Sequence, residues 1–201
     1  TSQNKLYESF LDTTSASGRQ FKLLENTVVR ATTDLSGNVW FIIGGRGVAK
    51  YSPSSFVIYD QRDGVPDDFI RSITSNRAGE VFFTEGSQNL TRRDLDGRFE
   101  TVVPFGLGSR NWTHNFLDLQ TRDGEWWVPS THGLRRYEKV TQFADLARTS
   151  PKNVYTTADG LFGDGVFAIF EDSRGDIWLS TNSESGSVLR FERSTQTFHR
   201  Y

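Results

Sequence analysis

One spacing constrains this chain more than any other feature: a turn glycine followed three residues later by an aromatic, four times over. The glycines are Gly37, Gly79, Gly124 and Gly175, at intervals of 42, 45 and 51 residues, and the aromatics are Trp40, Phe82, Trp127 and Trp178. A polar residue (Asn38, Glu80, Glu125 or Asp176) follows each glycine directly. The surrounding segments align: "VVRATTDLSGNVWFIIGGRGVAKY" (28–51), "FIRSITSNRAGEVFFTEGSQNLTRR" (69–93), "NFLDLQTRDGEWWVPSTHGLRRY" (115–137) and "VFAIFEDSRGDIWLSTNSESGSVLRF" (166–191). Self-similarity at this period marks a repeat architecture, in which each unit buries its apolar face against its neighbours.

Each unit reads as four strands. The first alternates apolar and polar residues, as in "FIRSIT" and "VFAIF". A tight turn follows, where glycine supplies the positive φ of a short hairpin. The second strand is strongly apolar ("VWFII", "VFFT", "WWVPS", "IWLST"), and a Gly- or Ser-rich loop leads to the third ("GVAKY", "NLTRRD", "GLRRY", "GSVLRF"). The fourth is polar and aromatic ("FVIYD", "RFETVV", "TFHRY"), with "NVYTT" the candidate in the third unit. Four antiparallel strands per 40–50 residues predict an all-β fold of β-propeller blades. A doubly wound fold needs helical crossovers for which there is no room. A β-sandwich would leave the fixed glycine-to-aromatic offset unexplained. The one helix candidate is "TQFADLAR" (141–148), in the insertion that lengthens the last interval.

The predicted organisation is a single propeller segment: a partial unit at about 1–25, then units at 26–62, 63–104, 105–157 and 158–201. "KLYESFLDTTSASGRQFKLL" (5–24) reads as strands three and four of a further blade. The offset aromatics are expected to fill the wedge between blades. Each would remove about 150–250 Å² from water, roughly 4–6 kcal/mol gross at ~25 cal/mol per Å² and an upper bound. On that reading Trp178→Ala costs about 3–5 kcal/mol.

Composition excludes several functions. Net charge is −2 and no Lys/Arg run exceeds two residues, so the chain lacks the electrostatic footprint of a nucleic-acid binder. The pairs Arg92-Arg93 and Arg135-Arg136 read as half-exposed strand positions. There is no cysteine, which excludes disulfides, thiolate metal sites and a Cys nucleophile. No apolar run approaches the roughly 18 residues of a membrane span, so no membrane contact is expected from the segment itself. No signal peptide is visible either. A chain with no Met, even at position 1, is expected to be processed or part of something longer.

These residues resemble the two-component regulator propeller repeat, in which a "DGL" or "DGLP" element precedes a first strand, a "DGN" turn and an "L-W-x-G-T" strand. "DGVPDDFIRSITSNRAGEVFFTEG" (63–86) and "ADGLFGDGVFAIFEDSRGDIWLST" (158–181) carry it in full, while "LSGNVWFII" and "RDGEWWVPS" carry its core. The resemblance implies a periplasmic or extracellular sensory propeller of a bacterial hybrid histidine kinase or related signalling protein. It implies a non-enzymatic segment that binds a small molecule or glycan for an output module elsewhere. Such propellers typically have about seven blades, so this chain is expected to be part of a larger one, its partners the remaining blades or another copy. A protein-interaction scaffold is the alternative, and a streptogramin-lyase-like enzyme a more distant one.

Candidate chemistry is sparse. "RGD" (174–176) occupies the slot of "SGN", "AGE" and "DGE", so it reads as a hairpin turn. "DLSGN", "DLDGR" and "DSRGD" lack the Glu that completes a calcium loop. "GGRG" (44–47) lacks the Lys-Ser/Thr of a phosphate loop. "NLT" (89–91) and "NWT" (111–113) are sequons expected to be silent in a bacterial protein. Asp67-Asp68 reads as turn capping. No metal site, cofactor or catalytic set is expected. A ligand surface is expected on the loops between strands two and three and at unit entry. Its candidates are Arg46, Arg110, Trp112, His114, His132 and Asn182, a polar and aromatic set suited to amphipathic ligands.

Overall fold

The computed structural model describes residues 13–15, 20–21, 28–45, 47–52, 55–67, 69–85, 89–108, 118–163, 165–181 and 187–201. Eighteen strands are formed among them: β1 Thr13–Ser15, β2 Gln20–Phe21, β3 Val28–Thr33, β4 Val39–Ile43, β5 Gly47–Ser52, β6 Ser55–Tyr59, β7 Ile70–Ser75, β8 Val81–Glu85, β9 Asn89–Arg93, β10 Phe99–Val102, β11 Leu119–Gln120, β12 Trp126–Ser130, β13 Gly133–Tyr137, β14 Asn153–Tyr155, β15 Val166–Glu171, β16 Ile177–Thr181, β17 Ser187–Glu192 and β18 Thr197–Arg200. They make four sheets in sequence order: β3–β6, β7–β10, β11–β14 and β15–β18, with β1 and β2 joined to the first. The fold is all-β, built of four-stranded propeller blades as the repeat predicts. The chain divides into two compact units, Thr1–Gly86 with Thr91–Glu100, and Ser87–Leu90 with Thr101–Tyr201.

The hairpin turns explain the repeated polar letters. In the first, the Asp34 carboxylate accepts from the backbone N–H of Ser36 and of Asn38, both at 3.0 Å, and from Trp40 Nε1 at 2.9 Å. In the fourth, Asp172 accepts from Arg174 N at 2.8 Å, Asp176 N at 3.1 Å and Trp178 Nε1 at 3.0 Å. The turn carboxylate thus holds the loop and the second-strand indole together, and Gly175 completes it at φ 91°. "RGD" is this turn, as expected. The acidic residue after the glycine in the second, third and fourth repeats plays a different part, since it meets the cation of the third strand, whereas Asn38 in the first donates to Asp34 at 2.9 Å. Glu80 pairs with Arg92 at 3.1 Å, Glu125 with Arg136 at 2.7 Å, and Asp176 lies 3.9 Å from Arg190.

The "DG" elements are capped 3-10 turns. Asp60 caps Gln61–Asp63 and Thr156 caps Thr157–Asp159, each closed by a left-handed glycine, Gly64 or Gly160. The aliphatic residue that follows, Val65 or Leu161, is buried in the core. In the first unit that core joins Trp40, Ile42, Val48 and Val65 to Ile70, Ile73, Val81 and Phe83. In the second it joins Trp127, Leu134, Tyr155 and Leu161 to Ile169, Ile177, Leu179, Leu189 and Phe191.

Three findings refine the expectations. Trp40 and Trp127 are 0% exposed, but Trp178 is only half-buried. The neighbouring sheet supplies Phe83 to Trp40 and Phe191 to Trp127, at 6.4 and 5.0 Å between ring centres. Trp178 is met by Tyr201 of its own sheet, so the full-burial cost expected for Trp178→Ala belongs to Trp127 instead. Second, β1 and β2 do form an antiparallel pair, but β1 runs parallel to β6 and extends the first sheet. An outer strand offers unpaired backbone groups, and β1 takes them up. Third, the predicted helix 141–148 is a five-residue 3-10 turn, Phe143–Ala147. It is too short to nucleate an α-helix, and its three-residue period buries Phe143 and Leu146 together.

Candidate functional site

Up-and-down connection places the loop between strands two and three at the same end of a sheet as the exit of strand four. In the third sheet this end is built from Ser130–Gly133 and Tyr155. A Cβ on Gly133 would collide with the Tyr155 carbonyl oxygen, and Gly133 sits at φ 96°. Only glycine allows this loop to close so tightly on the fourth strand. In the fourth sheet, Thr181 Oγ1 at the end of β16 donates to the Phe162 carbonyl in the "DGLF" connection, joining the same two kinds of loop.

Of the six candidate ligand residues, His132 lies in this described loop. Its side chain is exposed, and Nδ1 is hydrogen-bonded with Thr131 Oγ1 at 2.9 Å. The backbone around it is organised by Ser130, fully buried, whose Oγ receives His132 N at 3.2 Å and a guanidinium N–H of Arg135 and donates to Gly133 O at 3.0 Å. Arg46, Arg110, Trp112, His114 and Asn182 lie outside the described residues, as do Asp68 and the sequon at 111–113. Asn89 of the other sequon opens β9. Among the described residues no three His, Asp or Glu side chains come together as a metal would need.

The opposite end of the second unit carries a charge cluster that sequence reading missed. Arg136, almost wholly buried, donates to Glu125 through Nη2 at 2.7 Å and Nε at 3.1 Å, and to Gln196 Oε1 at 2.6 Å. Arg193 joins from the fourth sheet, bonded to Glu125 and to Asp123, the latter at 2.9 Å. Burial works against the charge on Arg136, yet its bonds to Glu125 outweigh that and hold the guanidinium above its ordinary pKa. For Asp123, burial raises the carboxyl pKa, but bonds from Thr121 and Arg193 reverse the balance and lower it. These charges satisfy one another, and the cluster ties the third sheet to the fourth. The signal for it was the polar residue after the glycine, whose partner lies a strand away.

Residues 160–183 match the family described as Two component regulator propeller. No curated protein matches the chain. Several solved structures share the fold. The extracellular domain of a one component system from B. thetaiotaomicron aligns at TM-score 0.66 and 18% identity, over 87% of this chain and 25% of that one. The extracellular domain of a hybrid two component system from the same organism gives 0.55 and 17%, over 91% of this chain and 30% of that. Catalytically inactive virginiamycin B lyase from Staphylococcus aureus gives 0.62 and 17%, over 92% of this chain and 60% of that. This chain thus spans only part of each. The four-stranded blades thus give the chain a β-propeller fold, and its residues 160–183 are similar to the two-component regulator propeller repeat.

Proposed function

We propose that the chain is a non-enzymatic sensory segment of a bacterial signal-transduction protein, serving an output module elsewhere. The observation that carries this reading is the family match at residues 160–183, which run from the glycine that closes the "DG" turn through the β15–β16 hairpin. Likeness in fold to the extracellular domains of a one component and a hybrid two component system supports a periplasmic or extracellular setting. None of the described helices is long and apolar enough to cross a membrane.

The ligand surface we propose is the loop end of the sheets that carries His132, with Arg46, Arg110, Trp112, His114 and Asn182 from the equivalent loops and unit entries. A ring for stacking and several hydrogen-bonding groups suit a carbohydrate or another amphipathic small molecule. Likeness to virginiamycin B lyase favours weighing an enzyme as the second reading. Against it, among the described residues the His132 ring meets a threonine hydroxyl and no carboxylate that could orient it as a base.

Thermal-shift screening against mono- and oligosaccharides tests the reading. A ligand should raise the melting temperature of the wild type, and Trp112→Ala or His132→Ala should remove the shift. Quinupristin turnover that needs a divalent ion and vanishes in His132→Ala would replace the sensor with a lyase. A broad screen without any stabilising ligand would favour an interaction scaffold.

A further inference from the structure

The sequence contains the pairs Asp63-Gly64, Asp96-Gly97, Asp123-Gly124, Asp159-Gly160 and Asp164-Gly165. An Asp-Gly pair carries latent chemistry of its own. Glycine has no Cβ to shield its backbone nitrogen, so that nitrogen can reach the carboxyl carbon of the preceding aspartate. Whether it does so depends on how firmly the fold holds that carboxyl group. Asp164 lies outside the described residues, and the other four aspartates are held very differently.

Three are fixed. Asp63 Oδ2 accepts from Asp60 N at 3.0 Å and closes the cap of its 3-10 turn. Asp159 Oδ2 does the same in the equivalent turn, accepting from Thr156 N and Oγ1, both at 2.9 Å. Asp123 accepts from Thr121 Oγ1 at 2.5 Å and pairs with Arg193 at 2.9 Å. Such bonds favour the charged, unreactive carboxylate and set its direction. Asp96 is different. It stands at the tip of the β9–β10 hairpin beside Leu95, which is 70% exposed. Among the described residues its carboxylate meets Arg98, at 3.0 Å, in a pair whose side chains are 71% and 77% exposed. A pair so open to solvent restrains little. The turn is held by Asp94 instead, which accepts from Arg98 N on Oδ1 at 2.8 Å and from Gly97 N on its carbonyl at 3.1 Å.

We propose that Asp96-Gly97 is the modification site at which the folded chain converts aspartate to isoaspartate. The Gly97 nitrogen attacks Cγ of the protonated Asp96 carboxyl group. A C–N bond forms, the amide proton and the carboxyl hydroxyl leave together as water, and a succinimide ring closes. Water then adds to the backbone carbonyl of the ring and breaks its bond to nitrogen. The chain now runs through Cγ, and the former backbone carbonyl becomes the free carboxylate. Nothing is oxidised or reduced, and the mass is unchanged. The main chain gains one carbon between Asp96 Cα and Gly97 N, which strains the two bonds to Asp94 and opens the hairpin at its tip. This inference rests on the hairpin alone and is independent of the sensory reading.

Prolonged warm incubation of the folded chain at mildly acidic pH tests it, followed by tryptic mapping with fragmentation that distinguishes isoaspartate from aspartate. Trypsin releases residues 94–98 as one peptide, apart from 63–71 and 123–135, which carry Asp63 and Asp123. Isoaspartate should accumulate at Asp96 several times faster than at Asp63, Asp123 or Asp159, through a transient species lighter by one water. In the urea-unfolded chain the rates should draw level, because the holding bonds are gone. Asp96→Glu, which would have to close a larger ring, should leave residues 94–98 unmodified. Equal rates in the folded chain, or faster reaction at a held aspartate, overturn the proposal. So does the same preference for Asp96 in urea, since the selectivity would then owe nothing to the fold.

Discussion

Trp127 and Trp178 occupy the same repeat position in different surroundings, so truncating each separates the contribution of the neighbouring sheet from that of the blade itself. Trp127→Ala should cost about 3–5 kcal/mol, the range for emptying a packed aromatic site. Trp178→Ala should cost about 1–2 kcal/mol, because a half-buried ring gives up less area. Urea titration of both variants checks the ordering, and equal losses would contradict it. Trp127 also lacks what its counterparts have. Trp40 and Trp178 donate their indole N–H to Asp34 and Asp172, but in the third unit that turn position is Thr121, and Trp127 Nε1 has no hydrogen-bond partner among the described residues. Thr121→Asp should pair this buried donor and stabilise the fold by about 1 kcal/mol, the net value of a typical hydrogen bond. An unchanged or lower urea midpoint would show that repulsion from Asp123 outweighs the new bond. The offset aromatics were legible in the sequence as a period. Their burial was not, because it depends on what the adjoining sheet supplies.

Hairpin turns and tight loops allow sharper tests at the level of the element. Gly37 and Gly133 both have positive φ, but a Cβ on Gly37 meets open space, whereas one on Gly133 meets backbone. Gly37→Ala should cost about 1–2 kcal/mol, the left-handed penalty alone. Gly133→Ala should cost measurably more, since the Tyr155 carbonyl cannot swing aside as a side chain would. Chemical denaturation of the pair decides it. The turn carboxylates also predict an acid response. The bond from Trp178, opposed by desolvation and helped by backbone N–H groups, holds Asp172 below its ordinary 3.8. For Asp34, desolvation is the largest influence and raises the value, but bonds from Trp40 and Asn38 together lower it below 3.8. Both are deprotonated more readily folded than unfolded. Their stabilisation is therefore complete above the unfolded value and is lost as pH falls through the folded one. Asp172→Asn should lower stability at neutral pH and reduce the loss on acidification below the ordinary carboxylate value, as followed by thermal melts across pH. Four strands per unit, their order and their turns could all be read from alternation and glycine spacing. The 3-10 turn at Phe143–Ala147 could not, because five residues with i, i+3 apolar spacing look the same as a fragment of α-helix.

For the whole molecule, we propose that ligand binding belongs to the loop end of the sheets. The hairpin end is occupied by turn carboxylates and the Glu125–Arg136–Arg193 cluster, whose groups already satisfy one another. The loop end of the third sheet carries His132. Sequence reading singled out those loops by residue type. It could not show which of their side chains converge, since loop shape depends on contacts such as that of Gly133 with the fourth strand. The extra strands β1 and β2 were legible as a pair, but their attachment to β6 was not, because parallel pairing leaves no turn signal between partners distant in sequence. The central claim, a sensory propeller that binds its ligand at the loop end, is tested most directly by amide chemical-shift mapping of the labelled chain with a saccharide found by thermal shift. Perturbations should concentrate at Ser130–Gly133 and the other strand-two-to-three loops. Perturbations confined to the hairpin turns around Gly37, Gly79, Gly124 and Gly175 would contradict the account.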